Sequence, residues 1–367
     1  MVPYVSEQVK KELKKDYLNR LDLVKEAIND EISKLGAANS QAYVGIVTFS
    51  DRFQILGDCS QGAKAVQLPY INLQSWDEIV NAVNNKHQDY FTKNIQEAYD
   101  QVKQQVRSLK TYGSTALGPG LLASVALASQ GKPGSKVIIC TDGMANIGVG
   151  SIGYNNREGE KFYDDVGAFA QNKGVSISVV TIKGDAGCSI KNLGKASNAT
   201  NGMISRVDPV KIGTEFSKVI NEEIIGSNVH LTIRMNRVFS LRGVDPKLLK
   251  DDGSLYEAQQ GNFTVDTEFK YDFDIKELDD VVGKYDISLK LFEKAKLPMQ
   301  IQIVYTGRNG NRYLSIFTDW RVMGSGEDEV LDEMELGTFL GRGEQKIALL
   351  IQKQHYLEAQ RTVDSYL

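Results

Sequence analysis

Thr115 and Asp142 are the residues of this 367-residue chain best placed to do chemistry. Thr115 lies in the loop Gly113-Ser-Thr-Ala-Leu-Gly-Pro-Gly-Leu121, and Asp142 follows the apolar run Lys136-Val-Ile-Ile-Cys140 within Thr141-Asp-Gly143. A hydroxyl and a carboxylate are hard oxygen donors of the kind Mg²⁺ or Mn²⁺ takes. A strand buried on both faces delivers its last residue to the crevice above a parallel sheet, so both residues are expected beside one sheet edge. Ser114 and Asn146 are near enough in sequence to act as second-layer donors. Each residue also has a plainer reading. Thr115 can cap the helix that follows it, and Asp142 can serve as a turn residue before Gly143, as Asp51 can after Phe49-Ser50. Gly118-Pro-Gly120 suggests a phosphate cradle, but the G-x-x-x-x-G-K pattern fails.

Bulk properties narrow the classes. A net charge of −4 argues against a nucleic-acid partner, which normally meets a basic face. Cys59, Cys140 and Cys188 form no C-x-x-C, and His87, His230 and His355 are scattered, so neither a disulfide framework nor a zinc site is expected. No G-x-S-x-G elbow is present, which disfavours a hydrolase. No apolar run approaches the roughly 20 residues that cross a bilayer, and the expected location is the cytoplasm, without membrane insertion. The sequons at Asn198 and Asn262 are discounted. Asp272, Asp274, Glu277, Asp279 and Asp280 lack the glycine and spaced glutamate of a calcium loop and read as a solvated face.

The elements that must position the pair follow from periodicity. Leu21, Val24, Ile28, Ile32 and Leu35 predict a helix from about Val9 to Leu35, stopped by Gly36. Residues 43–49 and 53–56 predict a hairpin, residues 89–110 one long helix, and the loop 113–121 feeds a second helix that runs through Ser129. The strand 136–141 is followed by alternating helices and strands at 159–172, 175–182, 190–197, 203–207 and 209–224. That alternation means a parallel sheet covered on both faces. From Ser227 the texture changes to polar–apolar alternation at 230–235, 262–265, 285–292, 299–305 and 313–317, the pattern of an antiparallel sandwich. A helical tail follows at 329–340 and 343–366. The predicted fold class is α/β, a doubly wound, mostly parallel Rossmann-type sheet (residues 1–225), then an antiparallel β-sandwich (226–323) and a C-terminal helical segment (324–367).

The order helix, hairpin, helix, Gly-Ser-Thr loop, strand ending in Thr-Asp-Gly and two further strand–helix units resembles the von Willebrand factor type A (vWA) domain over residues 1–225. The resemblance implies a metal-ion-dependent adhesion site. Thr115 matches the family's threonine and Asp142 its second aspartate, while a partner's acidic side chain would complete the Mg²⁺ shell. It further implies a non-enzymatic, protein-binding module. The Asp-x-Ser-x-Ser loop and the strand that carries it are missing before the first helix, so Mg²⁺ binding by this chain is expected to be weak or absent. Met1 is read as an internal methionine of a longer protein. Joining this domain to a sandwich and helices also resembles the trunk of the COPII coat subunits Sec23 and Sec24, which implies, as the alternative, an intracellular scaffold with a vestigial metal site.

Overall fold

The computed structural model describes residues 19–38, 41–60, 71–111, 113–141, 144–152, 157–182, 190–208, 211–277, 296–322, 336–352 and 355–366. The chain divides into two compact units. The first takes the described residues of Met1–Asn228 with Gln260–Val265 and Thr306–Asn311, and the second takes the remainder.

The first unit is built on the apolar runs seen in the sequence. A helix α1 (Arg20–Ala38) leads into an antiparallel hairpin of β1 (Ile46–Phe49) and β2 (Phe53–Gly57). Three helices follow, α2 (Trp76–Asn84), α3 (His87–Tyr90) and α4 (Ile95–Ser108), then α5 (Leu117–Ala128) and β3 (Lys136–Thr141). The chain then alternates through α6 (Arg157–Asn172), β4 (Ser176–Ile182), α7 (Ile190–Ala199), β5 (Ile204–Val207) and α8 (Ile212–Asn221). Strands β3, β4 and β5 form a parallel sheet in that order. The hairpin is a separate sheet, so among the described residues β1 and β3 are not paired.

Helices nevertheless tie the two sheets together. On one face Val137 and Ile139 of β3 join Phe53 and Ile55 of β2 in a core built around α5, ten of whose twelve residues are buried. On the other face Ile138 and Cys140 pack with Leu23, Ala27 and Phe216, while Ile46 and Leu56 pack with Ile32 and Val102. Ile28 of α1 belongs to both of these clusters. Alternate residues of each strand thus feed opposite faces, as a pleated ribbon requires.

Several sequence expectations are corrected. The first helix continues through Gly36 to Ala38, the glycine lying 3.5 Å from the Tyr99 ring at its would-be Cβ. The long helix expected at 89–110 is two, broken at Phe91–Asn94. Helix α2, with Ser75 as its N-cap accepting from Glu78 N–H, was not expected at all. The helix expected to reach Ile224 ends at Asn221, where the Lys136 ammonium donates to the carbonyls of Val219 (2.8 Å), Ile220 (3.1 Å) and Glu222. A cation at a helix C-terminus satisfies orphan carbonyls. Burial pulls the Lys136 pKa down, and the charges of Glu222 and Glu223 oppose that. Asn262, one of the two sequons, is buried, with its amide nitrogen donating to Thr200 O at 3.0 Å.

A five-stranded antiparallel sheet follows in the order β12-β11-β6-β9-β8, made of β6 (Ile224–Met235), β8 (Leu249–Lys250), β9 (Leu255–Thr264), β11 (Lys296–Gly307) and β12 (Arg312–Val322). A two-stranded ladder of β7 (Phe239–Arg242) and β10 (Asp272–Ile275) packs on it, with Phe239, Leu241 and Phe273 against Leu231, Ile233, Tyr256 and Met299. This is the second unit's sandwich core. Asp272 and Asp274 of the acidic cluster lie on β10 and are ion-paired with Arg342 and Arg242. The tail forms α9 (Leu336–Gln352) and α10 (Tyr356–Tyr366), so the break expected at 341–342 falls instead after Gln352. The expected strand at 285–292 lies outside the described residues, as do Asp279, Asp280 and Cys188.

Candidate functional site

The Thr115 loop is held from two sides by backbone hydrogen bonds. Thr115 N–H donates to Asn146 Oδ1 at 2.7 Å, and Asn146 N–H donates back to Thr115 O at 3.1 Å. On the other side Ser114 N–H donates to Asp51 Oδ1 at 2.5 Å, and Ala116 N–H donates to Ser50 O at 2.7 Å. The turn of the β1–β2 hairpin and the segment after β3 therefore clamp the loop between them. Gly113 has φ +73°, and a Cβ there would sit within 2.5 Å of all three Asp51 carboxyl atoms, so only glycine lets the carboxylate come so close.

The clamp leaves the Thr115 hydroxyl without a hydrogen-bond partner among the described residues, on a half-buried side chain. It is not a helix cap. The N-cap of α5 is Ala116, and no side chain caps it. The cradle reading of Gly118-Pro-Gly120 is answered by packing. A Cβ on Gly118 would lie 1.9 Å from Val149 O, and one on Gly120 would lie 2.9 Å from the Phe49 ring. The glycines let α5 approach β1 and the segment after β3.

Asp142 lies outside the described residues, immediately after the buried Thr141 that ends β3. Of the two residues expected behind Thr115, Ser114 donates its amide to Asp51 and Asn146 accepts from the Thr115 amide. Asp51 is the residue that sequence reasoning placed only as a turn. The signal that could have found it is the Phe49-Ser-Asp51 triplet, which ends a strand beside a glycine-started loop. Among the described residues no group of three His, Cys, Asp or Glu could hold a metal ion. Asp51 Oδ1 and Asn146 Oδ1 are each taken by a loop amide, so among the described residues few oxygens are left for a divalent cation, which would keep most of its water. Replacing Asp51 with Ala is expected to leave the β3 core folded, yet to raise the hydrogen-exchange rate of the Ser114 amide by more than tenfold. Unchanged exchange would show that the carboxylate does not hold the loop.

No family model matches the chain. Over 345 residues it is 27% identical to Circularly permutated Ras protein 1 of Dictyostelium discoideum, an alignment covering 94% of this chain and 39% of that protein. The chain thus spans well under half of that relative. Among solved structures it is similar to a von Willebrand factor type A protein from Catenulispora acidiphila, with a TM-score of 0.55, 13% identity, and coverage of 90% of this chain and 68% of that one. The fold is of the von Willebrand type A kind. It is also similar to the human COPII-coat protein Sec24c, with a TM-score of 0.58, 10% identity, and coverage of 90% and 46%. A type A domain joined to a sandwich and helices is the architecture common to this chain and that coat subunit. Within the type A fold, the Thr115 loop and the end of β3 occupy the carboxyl edge of the sheet, where open α/β folds bind ligands.

Proposed function

We propose that this chain is a non-enzymatic protein-binding module whose Thr115 loop is one half of a metal-bridged site for an acidic side chain. The observation that supports it most is the clamp, which orders the loop through Asp51 and Asn146 while leaving the Thr115 hydroxyl open. Thr115 and Asp142 are the proposed ligands, with Ser114 and Asn146 in the layer behind them. Two such oxygens from one side hold Mg²⁺ poorly against its hydration shell, so further ligands from an Asp-x-Ser-x-Ser segment are needed. The sandwich (226–323) and helices (324–367) are proposed as a spacer or assembly surface.

The chain lacks a G-x-x-x-x-G-K loop, so the proposal includes no nucleotide site, and its net charge of −4 gives no reason to add nucleic acid. Among the described residues no helix is long and apolar enough to cross a membrane. The buried Cys59 thiol is raised to about 12 by burial and by the Asp58 charge, and a cytoplasmic location is part of the proposal.

A second reading, a scaffold with a vestigial site, is supported by the likeness of fold to the COPII-coat protein Sec24c. Titration calorimetry with Mg²⁺ separates the two. The chain as given is expected to bind weakly or not at all, whereas one carrying a strand and an Asp-x-Ser-Gly-Ser segment ahead of α1 is expected to bind at least tenfold more tightly. If the extended chain also binds no metal, the scaffold reading stands.

A further inference from the structure

The outer strand of the second unit's sheet is unusual for a sheet edge. Strand β12 exposes Leu314 (57%), Ile316 (52%), Phe317 (58%) and Trp320 (54%), with Tyr313 at 41%. Soluble proteins normally blunt such edges with charge, proline or a covering element. Among the described residues no strand pairs with its outer side.

Three contacts fix its register on β11. Gly307 N–H donates to Asn311 O, Tyr305 stacks on Tyr313, and Gln300 reaches Thr318 Oγ1 at 3.3 Å. The paired numbers sum to 618 throughout. Because Gly307 and Asn311 are hydrogen-bonded, odd-numbered residues of β12 exchange backbone bonds with β11. The even-numbered residues therefore turn their N–H and C=O groups outward. One outward donor is already taken, since Trp320 N–H is capped by Asp319 Oδ1 at 2.8 Å. That carboxylate marks where pairing must stop, and among the described residues no strand lies beside the outward backbone groups of Arg312, Leu314, Ile316 and Thr318.

We propose that β12 is a self-association edge that pairs antiparallel with β12 of a second copy across a twofold axis at Ser315. A twofold between antiparallel strands places one residue opposite itself. With Ser315 there, Arg312 faces Thr318, Tyr313 faces Phe317 and Leu314 faces Ile316, each pair occurring twice. Asn311 closes the register opposite Asp319. Aliphatic meets aliphatic, aromatic meets aromatic, no like charges oppose, and the even-numbered residues supply the new backbone bonds. Centring on Phe317 instead would require Trp320 N–H, which Asp319 occupies. This inference is independent of the Thr115 site.

Sedimentation velocity over a concentration series and cysteine crosslinking test it on the full chain. A concentration-dependent dimer is expected, and Leu314→Lys is expected to leave it monomeric with unchanged thermal melting. In the proposed register two Ser315 Cα atoms lie about 4.5 Å apart, within disulfide reach. Ser315→Cys is therefore expected to form a covalent dimer on mild oxidation at least tenfold faster than Phe317→Cys. A wild-type chain that stays monomeric, or a dimer that Leu314→Lys leaves intact, overturns the proposal. Faster crosslinking at 317 than at 315 overturns the register and with it the twofold at Ser315.

Discussion

Gly118→Ala is expected to unfold the first unit at markedly lower temperature than the wild type. The added methyl would lie 1.9 Å from Val149 O and 3.2 Å from the Phe162 ring, in a helix where ten of twelve residues are buried. The nearest obstacle is backbone, and that backbone is itself fixed, because Val149 N–H donates to Leu73 O at 2.8 Å. Either α5 lifts from the sheets or the segment after β3 moves, and both disturb the Thr115 clamp. Overpacking of this kind costs about 3 kcal/mol, which for a unit of this size lowers the melting temperature by roughly 10 °C. Differential scanning calorimetry reads the shift. A change of less than about 2 °C would mean that the close approach of α5 to Val149 is not present in solution.

The second large effect lies at Asp58, a buried carboxylate just beyond β2. It accepts from Ser60 N–H (2.9 Å), Thr92 N–H (2.6 Å), Thr92 Oγ1 (3.1 Å) and Lys93 N–H (2.7 Å). Burial alone would raise its pKa, but the hydrogen bonds from Ser60, Lys93 and Thr92 outweigh that and hold it below the ordinary 3.8. A carboxylate with a depressed folded pKa stabilises the fold above the unfolded value, and that contribution is lost as pH falls through the folded one. Asp58→Ala removes the shared acceptor of the Ser60, Thr92 and Lys93 amides, at a cost of about 2 kcal/mol at neutral pH. Denaturant melts are expected to show the full difference at pH 7, and the gap between wild type and variant is expected to narrow below pH 3.8. A gap that is the same at pH 7 and pH 3 would show that the charge is not what matters.

The same carboxylate explains one of the clearest differences between sequence and structure. Periodicity alone runs a helix from 89 to 110, since nothing between Phe91 and Asn94 forbids one. The break arises because Asp58, more than thirty residues earlier, takes the amides of Thr92 and Lys93, while Asn94 caps the next helix by accepting from Glu97 N–H at 3.1 Å. Asp51 was hidden for the same reason. Its turn role is local and legible, whereas its bond to Ser114 joins residues 63 apart in the chain. By contrast β3 and the alternation through α8 were legible because their buried faces have a period written in neighbouring residues, such as Val137 and Ile139 against Ile138 and Cys140. The change of texture at Ser227 marked the antiparallel sheet on the same grounds, while the ladder partner of β7, thirty residues downstream, carried no local mark.

Thr115 is therefore the point on which the reading rests. Its loop is clamped by Asp51 and Asn146, its hydroxyl is open, and Asp142 is the ligand expected beside it. Paramagnetic broadening by Mn²⁺ in an amide-resolved NMR spectrum of the chain tests this most directly, because it detects weak binding and locates it. The expected result is broadening first at Ser114, Thr115 and Asn146, abolished by Thr115→Val with the melting temperature unchanged. Broadening that starts instead at the acidic strand around Asp272 and Asp274, or that survives Thr115→Val undiminished, would contradict it.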